Sequence, residues 1–171
     1  GGAKIADHTF EGGMKVSSLG VRTAMAHVGG PFFLYAHYLA PHSPYTMSGP
    51  YGGTFSYDAV KAASTHPDDL KALQQGRNHL DEYAADELYM RYLENVRAAD
   101  AFVEALVNGL RDAGFGAETA LIIASDHGES FGGHGVFGHG GAPYREQCHG
   151  PLLITTLAPE GVGAGARRAE P

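Results

Sequence analysis

The sequence predicts an α/β fold, a layered and mostly parallel sheet flanked by helices. Three observations carry this. Short runs that are apolar on both faces occur at Pro31–Leu39 (PFFLYAHYL), Ala120–Ala124 (ALIIA) and Pro151–Leu157 (PLLITTL), as in strands covered on both sides. A long stretch of helical period separates the first run from the second. The second run breaks abruptly into Ser125-Asp126-His127-Gly128-Glu129 and a glycine-rich loop. Open α/β sheets bind ligands at strand ends of this kind.

Composition sets the outer limits. The chain has 171 residues, 43% hydrophobic and 18% charged, enough apolar material for one domain with its own core. A net charge of −7 and twelve scattered basic residues argue against nucleic acid or an anionic membrane as partner. No run of apolar residues is long enough for a membrane-spanning segment. The single cysteine, Cys148, has no internal partner and reads as a small buried residue. Glycine, at 25 residues, and histidine, at 10, are both partly concentrated in 125–150.

The elements follow in order. Residues 1–30 read as a helical region with Ile5, Phe10, Met14, Val21, Met25 and Val28 on a rough apolar face, stopped by Gly29-Gly30-Pro31. Pro31–Leu39 is then the first strand, and His37 within it reads as a core histidine. Pro41 and Pro44 bracket His42 and stiffen the loop that leaves it. Residues 46–85 are irregular, with short helical turns at most. Asp86 to Ala113 is the best helix. Tyr89, Tyr92, Val96, Ala99, Val103, Leu106, Leu110 and Ala113 recur every three or four residues, while Arg91, Glu94, Arg97, Glu104 and Arg111 lie off that face. Gly114 and Gly116 end it. Asp100, mid-helix, reads as a solvated acid. Tyr144, Glu146 and Gln147 open a short helix before the last strand. No internal repeat or linker divides the chain.

The chemistry concentrates after Ala124. Asp126 and His127 stand side by side where the strand ends, so both can converge on one divalent ion. Equally, Asp126 can cap the glycine-rich turn and His127 can be a polar loop residue. His134 and His139 are spaced permissibly for zinc with His127. They can instead donate to an anionic oxygen or protonate a leaving group, as can His42 on its own strand-end loop. Glu129 can act as an acid/base or bond the loop backbone. His27, His66, His79 and His149 have no such placement. The sequence holds no Gly-x-Ser-x-Gly elbow, P-loop or dinucleotide fingerprint.

SDHGESFGGHGVFGHGGAPYREQCHGPLLI resembles the sulfatase family of the alkaline-phosphatase-like superfamily, with its Ser-Asp-His/Asn-Gly-Glu, Gly-x-His-Gly and Pro-Leu-Ile pattern. PFFLYAHYLAPHSPY resembles the same family's strand and Pro-His-x-Pro-Tyr loop. The resemblance runs from about Pro31 to Arg168, with 46–85 matching poorly. It implies that Asp126 and His127 are metal ligands. His139 would replace the family's Lys or His on the sulfate or phosphate group, and His42 would stand near the leaving-group oxygen. His134 and Glu129 would support the ligands or touch substrate.

The resemblance further implies metal-dependent hydrolysis of a small-molecule or glycan sulfate ester, with Ca²⁺ as the ion. The alternative in the same superfamily is a phosphonate or phosphodiester hydrolase, or a phosphoethanolamine-type transferase, with Zn²⁺ or Mn²⁺. A histidine-rich metal-binding module without catalysis is the third reading. The family's Cys/Ser-x-Pro-x-Arg or Thr nucleophile, its first metal carboxylates and its Asp-x-x-Pro-Thr helix find no match here. Gly133 stands for the usual Glu and Gly150 for the usual Val. Residues 1–171 are therefore expected to be a partial catalytic domain, incomplete at both ends and inactive alone. The nucleophile-bearing part would be upstream. A periplasmic or extracellular location fits the family, with any export signal also upstream.

Overall fold

The computed structural model describes residues 28–45, 49–55, 82–116 and 118–157. The helical region expected over 1–30 and most of the irregular segment lie outside them, as do His27, His66 and His79.

The backbone of the fold is one long helix, α1 (Glu82–Asp112). It ends as its sequence demands. Phe115 N–H reaches back to Leu110 C=O at 2.9 Å and Gly114 N–H to Arg111 C=O at 2.9 Å, with Gly114 at φ 88°. This paired arrangement satisfies the last orphan carbonyls and folds Phe115 back beside Leu110. Both belong to the main apolar cluster, Leu106, Leu110 and Leu157 with Phe32, Tyr38, Phe115 and Leu121 packed around them. Fully burying a leucine contributes about 1.5–3 kcal/mol, so this end of α1 anchors the fold.

The buried stripe on the N-terminal half of α1 differs from the expected one. Glu87, Leu88, Arg91, Glu94, Asn95, Ala98 and Phe102 are buried, whereas Tyr89 and Val96 are 41% and 38% exposed. The stripe is rotated by about one residue from the Tyr92–Val96–Ala99–Val103 face. Internal bonding allows it. Arg91 pairs with Glu87 at 3.4 Å, Asn95 donates to Arg91 C=O at 2.9 Å, and Glu94 accepts the Phe55 N–H at 2.9 Å. Asp100 is exposed, as expected.

Two small antiparallel sheets accompany the helix. Strand β1 (Ala120–Ala124) pairs with β4 (Leu152–Thr156), Ile122 opposite Ile154. Strands β2 (Ser130–Phe131) and β3 (Phe137–Gly138) form a short hairpin across the glycine-rich loop. The expected parallel layering is not seen among the described residues. Pro31–Leu39 makes no ladder there, and Phe33 and Tyr35 are 87% and 72% exposed. His37 is exposed rather than a core residue. Phe32 and Tyr38 instead turn inward onto Phe115 and Phe102, with ring centroids 5.0 and 5.9 Å apart. Strand β1 is half-covered: Leu121 faces the cluster and Ile122 is 63% exposed. A two-stranded ribbon has one face for α1 and no layer for the other. The short helix α2 (Arg145–Cys148) follows Tyr144 as expected. Cys148 on it is exposed, correcting its reading as a buried residue, because Gln147 takes the inward position.

Candidate functional site

The site is assembled where β1 ends. Ser125 N–H still bonds Pro151 C=O at 3.2 Å, and then Gly128 N–H turns onto Gln147 C=O at 2.8 Å. The approach is so close that a Cβ on Gly128 would run into the backbone carbonyls of Glu146 and His149. Only glycine fits. Gly150 lies against the Ser125 hydroxyl and His127 C=O, so the valine usual in the family pattern would have to turn the Ser125 hydroxyl aside. The Asp126–His127 turn is thus held from both sides.

Three of the expected histidines come together. His127 and His139 stack with centroids 3.9 Å apart and 28° between planes. His42 stands edge-on to both, at 6.3 Å from His127 and 5.2 Å from His139. Each ring has Nδ1 against an oxygen: His42 on Ser43 C=O at 2.6 Å, His127 on Gly128 C=O at 2.7 Å, His139 on Glu129 Oε1 at 3.0 Å. A carbonyl or carboxylate cannot donate, so Nδ1 carries the hydrogen in all three and Nε2 is left for a ligand.

Asp126 lies beside His127, its Oδ1 3.8 Å from His127 Nε2, with 89% of its side chain exposed. Its carboxyl is held below the usual carboxylate range, first by a hydrogen bond from its own backbone and then by the charge of His127. The anion is ready for a cation. The 3.8 Å separation suits two donors sharing one divalent ion at about 2.0–2.6 Å each. Among the described residues no set of three or more His, Cys, Asp or Glu side chains is arranged to hold a metal ion.

His134 does not join the cluster. It sits at φ 55° in the 3-10 turn Gly133–Gly135, a left-handed conformation uncommon outside glycine. It stacks on Tyr144 at 4.2 Å and 5°, with Nδ1 2.8 Å from Glu146 Oε1. A Cβ on Gly133 would stand 2.7 Å from that same oxygen, so the missing side chain leaves Glu146 its place. Glu146 is held below its ordinary value, first by its own backbone bond and then by His134.

Glu129 bridges side chains rather than the loop backbone. Its side chain is 7% exposed. Oε1 faces His139, and Oε2 accepts the Tyr45 hydroxyl at 2.7 Å. Tyr45 was missed by sequence reasoning. The signal lay in its position, three residues past His42 in one proline-stiffened loop. Burial first, then the Glu129 charge, pushes the Tyr45 hydroxyl far above its ordinary value, so it stays a donor. Behind it lie Leu88 and Tyr92 of α1, with Phe131 and Phe137 of the hairpin.

In front of the stacked rings is an open cavity of about 450 Å³, lined by His127, His139, residues 140–143, Gln147 and Cys148. The size suits a small-molecule group. Among the described residues no helix is long and apolar enough to cross a membrane.

A family model described as Sulfatase matches residues 18–157, a span that includes every residue of this site. No solved structure matches the chain.

Proposed function

The chain belongs to the sulfatase family, and on that footing we propose that it carries one wall of a metal-dependent sulfuric ester hydrolase site. The family is one of α/β hydrolases acting on small molecules. The finer reading rests on a single observation: His42, His127 and His139 converge with every Nδ1 engaged and every Nε2 available.

In this reading Asp126 and His127 contribute two ligands of a divalent ion, Ca²⁺ for sulfate chemistry. Bound there, the ion would supply Lewis-acid polarisation of an ester oxygen. His139, in its doubly protonated form with Nδ1–H on Glu129, meets the charge on the transferred group through Nε2–H, an interaction that strengthens as that charge develops. His42 stands near the departing alcohol oxygen; as the imidazolium it gives that oxygen its Nε2 proton and is left neutral, with Nδ1–H still on Ser43 C=O. His134, with Tyr144 and Glu146, shapes the loop that carries His139. No stretch of the sequence matches the family's nucleophile motif, so the reading assigns the nucleophile to a part of the domain beyond these 171 residues.

A second reading keeps the site and changes the ester to phosphorus, as a phosphodiester or phosphonate hydrolase or a phosphoethanolamine-type transferase. The imidazole beside Asp126 favours it, since nitrogen ligands suit Zn²⁺ or Mn²⁺ better than Ca²⁺. The test is turnover by the full reading frame containing this chain. An aryl sulfate and an aryl phosphodiester are compared in Ca²⁺, Mn²⁺ and Zn²⁺. Sulfate turnover lost in His139→Ala supports the first reading; phosphodiester turnover with Zn²⁺ or Mn²⁺ supports the second. Neither activity under any ion would sink both.

A further inference from the structure

We infer that Tyr45 is a positioning residue for His139, acting through Glu129. The inference rests on the reading that His139 meets the transferred group.

The chain of contacts is continuous. Tyr45 is 5% exposed and fixed between two rings, edge-on to Tyr92 at 5.7 Å and 84°, tilted on Phe131 at 5.7 Å. Its hydroxyl therefore has a set position, dictated by α1 and the hairpin. That hydroxyl donates to Glu129 Oε2 at 2.7 Å. A carboxylate is planar, so holding one oxygen aims the other. Oε1 then faces His139 Nδ1 at 3.0 Å. With Nδ1–H committed to Glu129, Nε2 is the ring nitrogen left over, and His139 is among the residues lining the cavity. Orienting an imidazole through its second nitrogen is a general device for fixing both tautomer and ring angle.

Packing alone does not account for the arrangement. Phenylalanine would fill the same aromatic cluster. What the hydroxyl adds is one partner for a carboxylate oxygen that is otherwise buried, and a buried carboxylate oxygen without a partner reorients to find one. Tyr45 touches no reacting atom in this reading, so its effect passes entirely through Glu129.

The test is Tyr45→Phe in the full chain, read by long-range ¹H–¹⁵N spectra of the His139 ring. In the wild type the Nδ1 proton is held and exchanges slowly with water. In Tyr45→Phe that proton is expected to be lost to exchange while the near-ultraviolet signal of the aromatic cluster persists. In the full reading frame, kcat is expected to fall roughly 10- to 100-fold with KM changed less than about twofold, the size of one hydrogen bond to a charged group. Glu129→Gln, which keeps an oxygen for His139, is expected to retain the Nδ1–H signal; Glu129→Ala is expected to lose it. An unchanged His139 signal in Tyr45→Phe or in Glu129→Ala overturns the inference. Loss of the signal in a protein that turns over neither ester would support the positioning and remove the functional reading.

Discussion

His127 and His139 lie ring on ring, 3.9 Å between centroids, although one belongs to the strand end and the other to the far side of the glycine-rich loop. Stacking gives each imidazole a flat wall, and the two then serve different neighbours. His127 has Asp126 beside it, and His139 has Glu129 behind it. The first expected outcome concerns His139. Replacing it by alanine should lower kcat about 10²- to 10³-fold, the usual loss for one donor to a developing anion. His139→Lys, which keeps a donor of the type found in the family pattern, should recover part of that loss. Steady-state rates on the ester that the full reading frame turns over check both.

Asp126 gives the second. Its carboxylate is ionised and almost wholly exposed. Asp126→Ala should weaken divalent-metal binding at least about tenfold, with the fold unchanged. Titration calorimetry with Zn²⁺, Mn²⁺ and Ca²⁺ on both proteins measures it. Nanomolar binding by this chain alone, lost in Asp126→Ala, would instead favour a non-catalytic metal-binding module.

The third follows from the Tyr45 hydroxyl, which burial and then the Glu129 charge hold well above the ordinary tyrosine range. The unfolded chain releases that proton near 10 and the folded chain retains it. The associated stability is therefore fully present below pH 10 and is lost as pH rises beyond it. The slope is about 1.4 kcal/mol per pH unit for this one group. Urea denaturation between pH 9 and 11 should show this fall. Tyr45→Phe should be less stable at neutral pH and flatter in that window.

A fourth concerns Gly128. A methyl group there collides with the carbonyls of Glu146 and His149, both backbone atoms with little room to yield. Gly128→Ala should cost about 1–3 kcal/mol or more, seen as a lower urea midpoint. It should also disturb the amide signals of 145–149. A neutral result would mean that α2 is free to move away from the strand end.

The site was more legible than the sheet. His42, Asp126 and His127 stand out because a polar residue just past an apolar run breaks the local pattern, and His139 because it lies in the glycine-rich loop that follows. The strand expected over 31–39 was read from apolar content, yet content alone cannot say whether a neighbouring strand exists to receive it. Phe33 and Tyr35 are bare for want of one. On α1, Arg91 and Glu94 were placed outward by their charge. The structure buries them because each finds a bond, Arg91 to Glu87 and Glu94 to the Phe55 amide. Periodicity cannot register a partner thirty-nine residues away. Glu129 was singled out, but its partner Tyr45, 84 residues away, was given no role for the same reason.

The Tyr45–Glu129 bond joins residues 84 positions apart. Closing a loop of that length carries an entropy cost that grows only as the logarithm of its size, about 0.6 kcal/mol per doubling, so distance in the chain is a modest thermodynamic burden. Its effect is on timing. The local pieces, α1 and the hairpin, can form from nearby contacts, but this bond waits until the loop after Leu39 and the turn after Ala124 have both been delivered to α1. The orientation of His139 through Glu129 is therefore expected late, after the elements that carry it have formed. A nascent chain that stopped short of residue 129 could complete its long helix and still lack the carboxylate that faces His139.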